Sequence, residues 1–243
     1  LVVPSPPGGT TDLVARLVGR GFTAAFGQQT VVDNRSGASG IIGTQIVATA
    51  PPDGHTLGVV YTPHTTLPSL QAKLPYDPVN DFAPVTQITT SPLVLVVHPS
   101  VQQQNVKELV AAGRSMPGKL QFANSGNGSA GHLAAVMLGD LAGITVTHVP
   151  YKGSGAAKID LLAGHVPNMF DGIVASAPQI KTGKLRALAV TGKARSKAMP
   201  ELPTMIESGL PGFEITAWSG MLAPAKTPTA IVNRLHKEVV AAL

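Results

Sequence analysis

Pro4-Ser5-Pro6-Pro7-Gly8-Gly9-Thr10-Thr11-Asp12 joins a short apolar run (Leu1, Val2, Val3) to an amphipathic segment with Leu13, Val14, Leu17 and Val18 at i, i+4 spacing. The pattern predicts a strand-to-helix turn. The prolines forbid helix up to position 7, and the paired glycines permit unusual backbone angles. Thr10, Thr11 and Asp12 are residue types that start helices. A glycine-rich helix start carries N–H groups without intrahelical acceptors and the positive end of the helix dipole, so it suits an anion. The expectation is that this loop, with Ser5, Gly9, Thr10 and Thr11, forms half of a carboxylate-binding site. Asp12 reads mainly as a helix-start residue, because its own charge opposes an anion.

A second such turn is Asn124–Ser129, placed before a helix predicted over 131–141 with Leu133, Val136, Met137 and Leu141 on one face. Within it Gly126-Asn127-Gly128-Ser129-Ala130-Gly131 matches G-x-G-x-x-G. A dinucleotide site also wants an acid ~20 residues on, and here the next strand ends His148-Val149-Pro150-Tyr151 instead. An anion-receptive helix start through Ser125, Gly126, Gly128 and Ser129 is the better reading. The bland alternative is a tight turn. Tyr151-Lys152-Gly153-Ser154-Gly155 also follows a strand and opens a helix, offering a phenol, an ammonium and free N–H groups, or only a solvated turn. Asp171 follows Asn168-Met169-Phe170 at a strand end, where it suits an ammonium or hydroxyl, or a cap. His64 follows a strand's C-terminal end, where open α/β sheets bind ligands. His132 lies in the first helical turn after Ser125–Ser129.

Other chemistries find little support. Gly113-Arg114-Ser115-Met116-Pro117-Gly118-Lys119 imitates a P-loop, but Leu120 stands where a magnesium-binding hydroxyl belongs and a helix precedes it. No serine sits in G-x-S-x-G. The seven histidines form no H-E-x-x-H or close ligand pair, so no metal site is expected. With no cysteine, disulfides, structural zinc and thiol catalysis are excluded. No cofactor is expected.

The composition agrees. The 243 residues suffice for one large core or two smaller ones. They are 44% hydrophobic but only 13% charged, against the usual ~25%. A net charge of +5 favours anionic partners. The lysines and arginines are scattered and aromatics are 4%, which gives no platform for nucleic acid. No apolar run approaches the ~20 residues of a membrane span. No signal peptide is present. The sequence opens inside a predicted strand and ends inside a predicted helix, so trimming at both ends is expected.

Helices are predicted over 12–26, 41–50, 106–115, 131–141, 156–163 and 229–243. Strands are predicted over 30–33, 56–60, 93–97, 120–123, 145–149, 168–170, 186–190 and 220–223. Residues 73–82 read as irregular and His64 as lying in a loop. Alternating strands and helices predict an α/β fold with a largely parallel sheet. The restart of the pattern after Pro99 predicts two domains, 1–98 with 222–243 and 99–221, joined by two crossing strands near His98 and Met221 that act as a hinge. Trp218-Ser219-Gly220 fits hinge packing.

Nine motifs in order carry a resemblance. They are Pro6-Pro7-Gly8-Gly9-Thr10-Thr11-Asp12, Asn34-Arg35-Ser36-Gly37-Ala38, Pro52-Asp53-Gly54-His55-Thr56-Leu57, Asp81-Phe82-Ala83-Pro84-Val85, Ser125-Gly126-Asn127-Gly128-Ser129, His148-Val149-Pro150-Tyr151-Lys152-Gly153, Gly183-Lys184-Leu185-Arg186-Ala187-Leu188-Ala189-Val190, Pro203-Thr204 and Trp218-Ser219-Gly220. Together they make the whole chain resemble the Bug family of solute receptors, the binding components of tripartite tricarboxylate transporters. The resemblance implies a type II periplasmic-binding-protein (Venus-flytrap) fold, with a cleft between two α/β domains that closes on its ligand. It implies a periplasmic receptor, its signal peptide removed, that delivers a small organic acid to a membrane permease without catalysis. It implies contacts from Ser5, Gly9, Thr10, Thr11 and His64 in one domain, and from Ser125, Gly126, Gly128, Ser129, Tyr151, Lys152, Gly153 and Asp171 in the other. A monomer is expected. Family members often carry an aromatic where this chain has Ser5, which implies a wider or wetter pocket. The rival classes are an enzyme acting on a small carboxylate, with His64 or His132 as base and Asp171 as partner, and the sensor domain of a regulatory protein.

Overall fold

The computed structural model describes residues 1–243. The chain divides into two compact units, Leu1–Thr90 with Trp218–Leu243, and Ser91–Ala217. It passes from one to the other inside two long strands, between Thr90 and Ser91 and between Ala217 and Trp218.

The first unit begins with β1 (Val2–Val3), α1 (Thr10–Phe26), β2 (Asp33–Asn34), α2 (Ile41–Ala48), β3 (Gly58–Tyr61) and α3 (Pro63–Leu70). The long β4 (Phe82–Val97) leads into the second unit. There follow α4 (Val106–Ser115), β5 (Leu120–Asn124), α5 (Ala130–Ala142), β6 (Val146–Pro150), α6 (Ser154–Leu162), β7 (Asn168–Gly172), α7 (Ile173–Lys181) and β8 (Arg186–Val190). Then β9 (Thr216–Pro224) returns the chain to the first unit, which ends with α8 (Thr229–Ala242).

In the first unit β1 lies between β2 and β3 and is parallel to both, while β9 pairs antiparallel with β3. Three parallel strands therefore end on one edge and gather the loops after Val3, Asn34 and Tyr61 there. The core behind them joins Val3, Val59 and Met221 of the sheet to Ala15, Val18 and Phe22 of α1 and to Leu235 and Val239 of α8. The apolar stripe expected on α1 is rotated: Leu13 and Leu17 are exposed, and Thr11, Asp12, Ala15, Val18 and Phe22 face inward. Asp12 lies on this inward face, and its carboxylate reaches the loop before the helix.

In the second unit β5 lies between β6 and β7, parallel to both, and β4 pairs antiparallel with β7 and β8. The sheets thus pair in parallel only within these two three-strand sets; β9 runs against the first and β4 against the second, while β8, antiparallel to β4, runs in the same sense as β5, β6 and β7. Phe122, Phe170 and Phe213 stack through the core, with ring centroids 5.6 and 5.9 Å apart. The α5 face predicted for the core is also displaced. Its buried residues are Ala130, Gly131, Ala134, Ala135, Leu138 and Ala142, and Leu141 is exposed. Small residues are required because the helix lies close to β7: a Cβ on Gly131 would come within 2.6 Å of the Phe170 carbonyl oxygen.

The helices not anticipated are α3 and α7, which carry Pro68 and Pro178 inside them. His64 accordingly lies on a helix rather than in a loop. The 16-residue β4 begins at Phe82, well before the predicted 93–97, and contains Pro84 and Pro92, residues that argue against a strand interior.

Candidate functional site

The edge of the first unit is built on the loop from Pro4 to Gly9. Asp12, only 2% exposed, anchors it. Its Oδ2 accepts from the Gly8 N–H at 3.0 Å and from Arg16 Nε at 3.0 Å, and its Oδ1 accepts from Asn34 Nδ2 at 3.1 Å. The same Asn34 amide donates to the Ser5 carbonyl at 3.0 Å. Burial works against the charge, but the bonds from Arg16, Gly8 and Asn34 outweigh it and hold the Asp12 carboxyl below its ordinary range. Asp12 is thus the brace of the loop, with its charge answered by Arg16. Gly9 is the N-cap of α1 and offers no side chain to its first turn, so the N–H groups at Thr10 and Thr11 have no cap. Thr11 is buried and Thr10 exposed. The Ser5 hydroxyl is buried without a hydrogen-bond partner.

The neighbouring loops complete this edge. Ala38 and Ser39 adopt left-handed φ of 46° and 55°, rare for residues with a Cβ, just before α2. Gly40 lies against Pro4 and the Tyr61 ring. This loop shares the edge, and its glycine-rich run before a helix makes it a further candidate beside the residues named from the sequence. His64, in the first turn of α3, donates from Nε2 to the Pro78 carbonyl at 3.0 Å. Burial lowers its pKa, so the ring is neutral and Nδ1 is an acceptor; that atom is buried without a partner. The ring meets Phe82 edge-on at 5.2 Å and lies parallel to Tyr76 at 6.5 Å.

The edge of the second unit is built on Asn124–Ser129. Gly126 and Gly128 take φ of 122° and 78°, which only glycine adopts without strain. Ser129 caps α5, its hydroxyl accepting from the His132 N–H at 3.3 Å. His132 accepts in turn at Nδ1 from the Gly128 N–H at 3.4 Å. Its ring meets that of His148 at 4.8 Å. Burial lowers both pKa values, and the neighbouring His148 adds to the effect at His132, so the pair is neutral. Asn124, fully buried, is the residue that the sequence did not single out. Its Oδ1 accepts from the Gly126 N–H at 3.0 Å, while its Nδ2 is buried with no acceptor. The signal was an amide as the last residue of a strand, directly under a glycine loop.

Tyr151 and Asp171 already have partners within their own unit. The Tyr151 hydroxyl donates to Asp160 Oδ2 at 2.7 Å and its ring packs on the core, so its phenol is already engaged; burial and then Asp160 push its pKa up to about 12. Its N–H donates to the Asn124 carbonyl at 2.9 Å, tying the two loops together. Lys152 is exposed, and Gly153 is the uncapped N-cap of α6. Asp171, 5% exposed, accepts at Oδ2 from Ser176 Oγ at 2.6 Å and from Lys158 Nζ at 2.7 Å. Lys158 stands on the inward side of α6 between Ala157 and Leu161, a position where a lysine signals a buried counter-ion.

Each unit therefore brings its own predicted residues to one strand-end edge. Ser5, Gly9, Thr10, Thr11 and His64 follow β1 and β3. Ser125, Gly126, Gly128, Ser129, His132, Tyr151, Lys152, Gly153 and Asp171 gather at the ends of β5, β6 and β7. Helix starts and buried donors of this kind hold an oxyanion.

The class this defines is a two-unit α/β binding protein. Residues 14–243 match the tripartite tricarboxylate transporter family receptor, TctC, and the chain belongs to that family. Among solved structures, Rpa4515 of R. palustris with adipate is 39% identical, with a TM-score of 0.96, covering 99% of this chain and 81% of that one. The periplasmic binding protein BugD is 38% identical, with a TM-score of 0.93 and coverage of 99% and 81%. MatC (Rpa3494) from Rhodopseudomonas palustris, with bound malate, is 36% identical, with a TM-score of 0.93 and coverage of 99% and 83%. The fold is that of periplasmic solute-binding proteins, as the motifs imply.

Proposed function

We propose that this chain is a periplasmic solute receptor that binds a small organic carboxylate and delivers it to a membrane permease, as a monomer and without chemistry on the ligand. The observation that carries the reading is the repetition. In each unit, three parallel strands end at a glycine-rich helix start beside a buried polar atom that lacks a partner, Ser5 Oγ in one and Asn124 Nδ2 in the other. Family membership and the adipate- and malate-bound relatives support the same ligand class. The donors are N–H groups, hydroxyls and an amide, and both edge histidines of the second unit are neutral and hydrogen-bonded or ring-packed. Such groups bind an anion but supply no paired base and nucleophile.

Calorimetry and thermal shift with adipate, malate, succinate and benzoate test this. A ligand at about 100 Kd should stabilise the chain by ~2.7 kcal/mol. After denaturation, mass spectrometry should return the ligand unchanged. A chemically altered ligand would establish the enzyme reading instead, and no binding by any acid would overturn the receptor.

A further inference from the structure

The acids near the helix-start loops already have partners. Asp171 is held by Lys158 Nζ and Ser176 Oγ through one oxygen, under a lysine whose side chain is itself only 15% exposed. Lys158 has a second fixed partner, the Ala175 carbonyl at 2.7 Å, so it is clamped between α6, β7 and α7. Asp160, the other acid beside these loops, accepts from Tyr151 through Oδ2 and faces His165 through Oδ1 at 3.3 Å. In the first unit Asp12 is taken by Gly8, Arg16 and Asn34. What is left at the two edges is mainly donors, namely N–H groups, the Ser5 hydroxyl, the Asn124 amide and the exposed Lys152 ammonium, with His64 Nδ1 as a neutral acceptor and no carboxylate without a partner. Donors and a cation favour carboxylate oxygens. An ammonium group brought to either edge loses its water and finds no carboxylate without a partner to replace it.

We propose that the ligand is a carboxylate without an amino group, and that Lys158 enforces this by holding Asp171, the buried acid of the second unit that would otherwise accept an ammonium. This deepens the carboxylate-receptor reading and rests on it. The consequence is a preference between pairs of compounds that differ by a single ammonium.

The test is calorimetry on the chain at pH 7.5 with two matched pairs, succinate against L-aspartate and glutarate against L-glutamate, with adipate and malate alongside. The member lacking the amino group should bind at least ten times more tightly in the pair that fits. Equal or tighter binding of the amino acid overturns the proposal and leaves the receptor reading standing. No binding by any of the six overturns both. Lys158→Met exposes Asp171 to an incoming cation and should narrow the ratio at least fivefold, while Lys158→Arg should keep it. A folded Lys158→Met protein with an unchanged ratio removes Lys158 from the explanation. Should Lys158→Met fail to fold by circular dichroism, the wild-type pairs and Lys158→Arg still decide.

Discussion

The two strand-end edges solve one problem with different materials. The first unit fixes its loop with charge: Asp12, Arg16 and Asn34 tie Gly8 and Ser5 to α1 and β2. The second fixes its loop with neutral groups: Ser129, His132 and Asn124 each hold one main-chain N–H around Gly126 and Gly128. An anion approaching the first edge meets a carboxylate already neutralised by a neighbour. At the second the loop is held by neutral groups; Asp171 is already neutralised by Lys158, and Lys152 is the exposed charge. The neutral edge is therefore the one where a single added charge should matter most to binding, and the charged edge the one where it should matter most to folding.

The largest effect expected removes the brace itself. Asp12→Ala leaves Arg16 and the Gly8 N–H without their acceptor and should cost about 3 kcal/mol of stability by urea unfolding. Little loss would show that Arg16 and Asn34 hold the loop unaided. Next comes helix docking, which the two units share. A Cβ on Gly43 would lie 2.7 Å from the Arg35 carbonyl oxygen and one on Gly131 2.6 Å from that of Phe170. Gly43→Ala and Gly131→Ala should each cost about 2 kcal/mol, and a gap between them would show which helix has room to shift. For the ligand, Asn124→Asp puts a negative charge under the neutral loop and should weaken carboxylate binding at least tenfold, against about threefold for Ser5→Ala. The reverse order in calorimetry would make the first edge the dominant one.

Acid should separate the edges further. Asp12 has a folded pKa below its unfolded value near ~3.9, so its contribution is complete above that pH and is lost as pH falls toward the folded value. His132 and His148 are depressed bases, so the unfolded chain binds their protons first and stability falls as pH drops below ~6.5. His64 does the same in the first unit. Urea midpoints should decline in two stages, and His132→Gln should flatten the upper one while Asp12→Asn flattens the lower. The smallest effect is at Tyr151→Phe. Loss of its bond to Asp160 should cost about 1 kcal/mol and leave ligand affinity within about twofold, since the phenol serves the loop.

The elements legible in the sequence are those whose caps and periods agree. Gly9 and Gly27 bracket α1, and Asn105 and Glu108 begin α4 with a reciprocal cap. What stayed hidden had prolines inside it, as in α3, α7 and β4, where tertiary packing overrides local preference. Helix faces were misjudged for another reason. Hydrophobic spacing finds large side chains, but α5 meets β7 through Gly131, Ala134 and Ala135 because close approach needs small ones. At the site, loop chemistry was readable from glycine and helix-start residues. Partner choice was not: that Asp171 belongs to Lys158, Tyr151 to Asp160 and Asp12 to Asn34 depends on how separate elements pack on one another.

The buried Asn124 amide has a thermodynamic meaning of its own. A donor enclosed without an acceptor costs the ligand-free protein about 1–3 kcal/mol. On the proposed receptor reading, stability is set aside at a position that would give a donor to the ligand. Asn124→Leu should make the empty receptor as stable or more so, and at the same time deaf to its ligand, because the position optimal for folding alone is not the one optimal for recognition.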